Sequence, residues 1–299
     1  MQNAQQIIQQ LEAAGFKAAF LPMRAMEQVK EHYDSLERRA PESDWIKGAV
    51  EKFRGNQTPK LEFEPKSFLV AAVPCKGATL ALQRKGKRIE IPVAPAYIGI
   101  SPQKRRLREI LAETGCQLED AWLVSQKLLA ALSGLGQYGR NNICYVGEWG
   151  SYAWLESWYT DIPFEGPVQA DLRMEACEGC ERCRGACPTG AIGDTQVIDA
   201  ARCLAMKNER GGRMPRWVPR GAHHTLAGCL RCQECCPQNP AIDFSRTLAL
   251  DARETRRLLS RGKKLPQDLE GKLKEFGCEK WTMRVIKRNA RLAVKAKGV

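Results

Sequence analysis

Apolar residues recur at helical spacing over residues 2–14. Ile7, Ile8, Leu11 and Ala14 share one face there, and Gly15 ends the run. Ser67–Val73 is continuously apolar apart from its first residue and reads as a buried strand. A hairpin is predicted next, with arms Ala78–Gln83 and Arg88–Val93 around the turn Arg84-Lys85-Gly86-Lys87. Ser101-Pro102 supplies an N-cap followed by proline at the first helical position. Leu107, Ile110, Leu111 and Thr114 then fill one helical face, and Gly115 closes it. Val124, Leu128, Ala131 and Leu132 repeat the helical spacing. Strands and helices thus mix through the first 170 residues, which predicts an α+β or α/β domain. From about Met174 the chain turns to cysteine, glycine and short turns, and after Pro240 it becomes helical and basic.

Charge sharpens this division. Of the net +13 over 299 residues, +9 lies in residues 251–299, so the basic character belongs largely to the C-terminal segment. It suits a polyanion or an acidic redox partner. The longest apolar run, Phe68–Cys75, is eight residues, far short of the roughly 20 that a membrane span requires. Met1–Gln10 has neither a positive charge before an apolar core nor a twin arginine, so the expectation is no signal peptide, no membrane span and a cytoplasmic protein.

Nine of the thirteen cysteines fall between Cys177 and Cys236, a clustering that reads as metal ligands rather than a disulfide framework. The other four, Cys75, Cys116, Cys144 and Cys278, read as buried free thiols. Residues 177–192, CEGCERCRGACPTGAI, have Cys-x2-Cys-x2-Cys-x3-Cys-Pro spacing. Three cysteines two residues apart wrap three corners of one iron–sulfur cube, and the fourth, before proline, serves a second cube. The run CLRCQECCPQNP at 229–240 ends in the same way, at Cys236-Pro237. Zinc usually takes separated Cys-x2-Cys pairs and suits this pattern less well. Two ligand schemes remain open on spacing alone. One assigns Cys177, Cys180, Cys183 and Cys236 to the first cluster and Cys187, Cys203, Cys229 and Cys232 to the second. The other uses Cys235 and leaves Cys203 free.

On these cysteines the chain resembles the epoxyqueuosine reductases, corrinoid-dependent iron–sulfur enzymes related to reductive dehalogenases. Cys203 matches that family's lone cysteine between the runs, and Cys229, Cys232 and Cys236 match its Cys-x2-Cys-x3-Cys-Pro, which favours the first scheme. Upstream, SGLGQYGRNN at 133–142 and GSYAWLESWYTDIP at 150–163 resemble the family's Gly-Leu-Gly-aromatic and Gly-Ser … Thr-Asp-x-Pro stretches. RVIKRNARLAV at 284–294 is similar to the helix after its ferredoxin-like part.

The resemblance implies an α+β protein: a corrinoid-reductase-like (nitroreductase-like) α/β domain at 1–172, a ferredoxin-like double 4Fe–4S domain at 173–246, and a basic helical segment at 247–299. It implies two 4Fe–4S clusters and a cobalamin (corrinoid), with Gly134, Gly136, Tyr138, Asn141 and Ser151 lining the corrinoid. Asp120 stands where the family has its proton-donating aspartate, and Trp122 beside it would furnish an apolar setting for its proton. The implied reaction is reduction of a carbon–heteroatom bond, with electrons from a ferredoxin or flavodoxin and with tRNA or another polyanion on the basic C-terminal helix. The rival is a corrinoid-free double-cluster electron carrier or reductive activator, which needs the cysteines but not Asp120.

Three features are read apart from the resemblance. GLGQYG formally matches a dinucleotide fingerprint, but a helix precedes it where that fold needs a strand, so it reads as a helix C-cap and tight turn. His223 and His224 read as surface residues of the loop between the cysteine runs. In the C-terminal helix, Arg284, Arg288, Arg291 and Lys295 share one face, opposite Met283, Ile286, Ala290, Ala293 and Val294. That basic face is either solvated or polyanion-binding.

Overall fold

The computed structural model describes all residues except Met1, 40–42, 55–59, Gly99, 194–196, 262–263 and Val299, and omits the side chain of Lys280. In chain order the elements are α1 (Ala4–Ala13), β1 (Lys17–Pro22), α2 (Met26–Arg39), α3 (Asp44–Arg54), β2 (Ser67–Pro74), β3 (Ala78–Arg84) and β4 (Lys87–Val93). There follow α4 (Ser101–Glu113), β5 (Leu118–Asp120), α5 (Gln126–Leu132), β6 (Gln137–Tyr138), β7 (Cys144–Tyr145) and β8 (Ala153–Thr160). The last third holds α6 (Arg182–Ala186), α7 (Leu204–Glu209), α8 (Arg231–Glu234), β9 (Arg246–Leu250), α9 (Ala252–Leu259), α10 (Gln267–Phe276) and α11 (Met283–Ala296).

These elements form two compact units. The first comprises residues 1–74, 101–181 and 192–198, and the second comprises 75–100, 182–191 and 199–299. The units cut the chain differently from the three segments drawn on composition. The hairpin β3–β4, early in sequence, belongs with the C-terminal helices.

The first unit is built on an antiparallel sheet in the order β1-β2-β8-β5. Ser67–Val73 is buried throughout, because both faces of its strand are covered. Phe68, Val70 and Ala72 join Leu155, Tyr159 and the α5 residues Leu128, Leu129 and Leu132 in one core. On the opposite face α4 lies over Trp154, Glu156 and Trp158 of β8. The predicted stops hold: Gly15 and Gly115 both have positive φ, a conformation glycine adopts without a Cβ penalty.

The second unit has a three-stranded sheet, β4-β3-β9, with β9 parallel to β3. Leu80, Leu82, Ile89 and Ile91 from the hairpin pack with Leu258 of α9, Leu269 and Leu273 of α10, and Ile286, Ala290, Ala293 and Val294 of α11. The apolar stripe predicted for the C-terminal helix is therefore its buried face, although Met283 is only partly buried. The basic face is not wholly solvated. Arg288 donates to the carbonyls of Lys207, Asn208, Arg210 and Gly212 at 2.7–3.1 Å, and Asn289 beside it donates to those of Asn208 and Leu226. Arg288 thus clamps the chain between the cysteine runs. Arg288→Met strands these carbonyls, and the expected cost is about 2–3 kcal/mol, read as a lowered Tm of the cluster-loaded protein.

Candidate functional site

In the second unit, three short helices carry one thiol each. Cys183 sits in α6, Cys232 in α8, and Cys203 is the N-cap of α7, its sulfur making no capping hydrogen bond. Gly228, just before Cys229, has φ +67, and a Cβ there would lie 2.8 Å from the Tyr97 ring. Only glycine lets the chain turn into Cys229 at that point. Cys187 Sγ accepts from the Ala191 N–H at 3.2 Å.

Cys183, Cys187, Cys203, Cys229 and Cys232 lie within electrostatic reach of one another. Burial first, then Cys203 and Cys187, push the Cys229 thiol up to about 12. Burial raises Cys232 further, with Cys229, Cys203, Cys183 and Cys187 each adding to it. Cys203 is raised by burial and by Cys187 and Glu209. Each thiolate in this set opposes its neighbours, so the set is electrostatically incomplete until a cationic centre enters it. No group of three or more His, Cys, Asp or Glu among the described residues is drawn tightly enough for a single metal ion. Thiolate sulfurs are the donors that iron–sulfur clusters take. The donor set fits a 4Fe–4S cluster. Cys235 instead directs its Sγ to the Cys232 carbonyl at 3.7 Å.

The surroundings of this set include residues that spacing did not single out. The Tyr97 hydroxyl donates to Glu209 at 2.5 Å and its ring stacks on Trp281 at 5.9 Å. His223 and His224 are not surface residues. His223 is 4% exposed, and the His224 ring bridges the Ala222 carbonyl and the Leu230 N–H, at 2.8 and 3.1 Å. His224 thus serves a buried backbone turn as a hydrogen-bond partner, whereas the buried His223 Nδ1 has no partner among the described residues. Of the four isolated cysteines, Cys144 and Cys278 are buried, whereas Cys75 and Cys116 are only half-buried.

In the first unit the SGLGQYGRNN stretch joins two functions. Gly134, with φ +75, closes α5 as a C-cap. A Cβ on Gly136 would lie 2.6 Å from Cys144 Sγ, so this glycine lets β6 close on β7. The Asn141 side chain is buried, donating to the Tyr145 hydroxyl and accepting from the Ile143 N–H. The Arg140 N–H points at Cys177 Sγ at 3.4 Å, its guanidinium donates to the Cys177 carbonyl at 3.0 Å, and it pairs with Glu181. Ser151 is buried.

Tyr138 and Asn142 line a cavity of about 380 Å³ together with His32, Arg39, Leu172 and Arg173. Lys127 donates to both the carbonyl and the side-chain oxygen of Asn142, at 2.8 and 2.7 Å. Burial holds its ammonium down to about 8. His32 stacks on Tyr138 at 6.3 Å and is held down to about 4, by burial first and then by Arg39 and Lys127. As pH falls from 6.5 through 4, the unfolded chain takes up a proton that the folded His32 refuses, so stability is lost across that window. The loss amounts to about 3 kcal/mol. Thermal unfolding of His32→Phe at pH 7 and pH 5 is expected to show a smaller acid-induced drop than the parent protein.

Asp120 lies exposed on the edge strand β5. The apolar setting expected from Trp122 is not what surrounds it: Trp122 is 64% exposed, and Arg108 Nη2 stands 3.3 and 3.4 Å from the two Asp120 oxygens. Arg108 also approaches Glu156, a 4% exposed carboxylate that takes Lys104 at 2.6 Å.

Residues 176–239 match the family model described as a 4Fe-4S double cluster binding domain. The chain is 30% identical over 254 residues to the epoxyqueuosine reductase of Burkholderia pseudomallei, covering 74% of this chain and 62% of that one. It is 24% identical over 243 residues to that of Bacillus cereus, covering 76% and 62%. The chain is similar to the epoxyqueuosine reductases.

It spans about three fifths of the length of these relatives. A crystal structure of selenomethionine-labelled epoxyqueuosine reductase shares the fold, with a TM-score of 0.68 at 22% identity over 97% of this chain and 80% of that one. So does an epoxyqueuosine reductase crystallised with an epoxyqueuosine-modified tRNA-Tyr stem loop, with a TM-score of 0.67 at 22% identity over the same shares. The α+β architecture with a double-cluster domain expected from the sequence is therefore the architecture of this chain. No helix among the described residues is long and apolar enough to cross a membrane.

Proposed function

We propose that this protein is a two-cluster, corrinoid-dependent reductase acting on a modified nucleoside of tRNA, the substrate named for its relatives. The observation that carries the reading is the closeness of Cys187, Cys203 and Cys229 to Cys232 in the second unit, where Cys183 also reaches Cys232. It favours Cys187, Cys203, Cys229 and Cys232 as ligands of one 4Fe–4S cluster, with Cys177, Cys180, Cys183 and Cys236 left to the other. When bound, the clusters would carry single electrons from a ferredoxin or flavodoxin and the corrinoid would supply low-valent cobalt chemistry.

The chain's own residues would bind and orient. The cavity offers donors and acceptors from His32, Arg39, Tyr138, Asn142 and Arg173, which suits the amide and phosphate periphery of a corrinoid. Lys127 fixes Asn142, and Arg140 ties the same loop to Cys177. Asp120 would deliver the proton to the departing oxygen. One relative, from Bacillus subtilis, has been crystallised with its catalytic aspartate loop swung out of the active site, and Asp120 paired with Arg108 fits a resting position of that kind. A corrinoid-free electron carrier is the second reading, favoured by Gly134 and Gly136 being accounted for by packing alone. Anaerobic reconstitution followed by corrinoid titration separates the two: an absorbance shift without imidazole coordination supports the reductase, and no binding under reducing conditions supports the carrier.

A further inference from the structure

The second unit holds a cavity of about 700 Å³ lined by six cations: Arg84 and Lys85 from the hairpin turn, Arg256 and Arg261 at and beyond α9, and Arg291 and Lys295 from α11. Among the described residues no Asp or Glu lines it, and none of the six shares an ion pair. The acids close in sequence are engaged elsewhere, Glu90 by Arg88 and Glu254 by Lys272.

The groove is built, not an accident of long side chains. Thr255, buried in α9, accepts the Gln83 N–H at 3.1 Å and so ties the hairpin to that helix. Arg291 donates to the Ser260 carbonyl at 2.9 Å, and Lys287 to the Ser260 hydroxyl at 3.3 Å, which ties α11 to the end of α9. The turn itself is informative. Arg84 pairs with Lys87 across a two-residue loop, and Lys85 has φ +50 and Gly86 φ +74. The first central position of such a turn prefers Asn, Asp or Gly. A lysine held left-handed there places a charge at the rim at some conformational cost.

Six like charges around one concave surface repel one another and concentrate anions. We infer that this groove seats the phosphate backbone of an RNA stem. The inference rests on the reading of tRNA as substrate and adds the surface that holds it. Phosphates spaced along a backbone match cations contributed by three separate elements, and such contacts position an RNA without reading its sequence.

The test is binding of a fluorescent RNA hairpin to the full-length, cluster-loaded protein by anisotropy, over a series of salt concentrations. With six phosphates engaged, log K should fall against log salt with a slope of about −5, on the order of 10³-fold between 50 and 200 mM. Lys85→Gln with Arg256→Gln should reduce the slope by about two units and weaken binding on the order of tenfold to a hundredfold at 150 mM. Arg105→Gln with Arg106→Gln, the same charge change on α4 of the first unit, should leave the slope in place. Iron content and circular dichroism report that each variant is folded. Equal affinity and slope in the parent and the Lys85/Arg256 variant overturn the groove while leaving tRNA as substrate. A parent protein that binds no RNA overturns the substrate reading itself. If it instead binds an acidic ferredoxin through Lys85 and Arg256, the groove is a redox-partner dock and the inference fails.

Discussion

Cys203→Ser protein, reconstituted without oxygen, is expected to keep about four of about eight irons per chain, by cubane stoichiometry. Cys235→Ser should keep all of them. The two thiols stand in different surroundings. Cys203 stands at the N-terminus of α7, within electrostatic reach of Cys187, Cys229 and Cys232. Cys235 turns its sulfur to the Cys232 carbonyl. A serine at 203 replaces a soft thiolate by a hydroxyl that is a poor iron ligand, and three thiolates then retain a cube badly. Iron and sulfide assays with EPR of the reduced proteins give the answer. A full complement in Cys203→Ser alongside a half complement in Cys235→Ser would reverse the ligand assignment. Zinc in place of iron in the parent would remove the electron-handling function altogether.

Asp120→Asn is expected to retain both clusters and any bound corrinoid while losing reductive turnover by on the order of 10²–10⁴-fold, the range for one acid–base group. The amide keeps the size of the carboxylic acid but carries no proton to give. Because Arg108 holds both Asp120 oxygens, the side chain must turn away from it before acting on a substrate. The control is Arg108→Gln. An exposed ion pair contributes at most about 1 kcal/mol, so this variant should stay within about tenfold of the parent in turnover. If both variants lose activity equally, the Asp120–Arg108 contact is structural and Asp120 is not the acid. An Asp120→Asn protein as active as the parent would favour the electron-carrier reading.

The sequence by itself determined the elements whose signals are local. The helix at the N-terminus, the buried strand Ser67–Val73, the Arg84–Lys87 turn and the Ser101 helix start appear where their spacing and stop signals put them. These follow from side-chain periodicity and from glycine and proline geometry within a few residues. The cysteine spacing likewise named the cluster chemistry, because three cysteines two residues apart can wrap three corners of one cube.

Tertiary structure decided what depends on distant partners. Spacing left Cys203 and Cys235 as rivals, and the fold brings Cys203 within electrostatic reach of Cys187, Cys229 and Cys232. His32 and Lys127 looked ordinary until α2, α5 and the Tyr138 loop met around one cavity. Arg288 read as part of a face either solvated or polyanion-binding until the loop carbonyls of residues 207–212 closed on it, and six cations separated by up to 211 positions share one groove only in the folded chain. Burial and charge–charge proximity are properties of the folded surface, and no local pattern in a chain specifies which distant segments will share one.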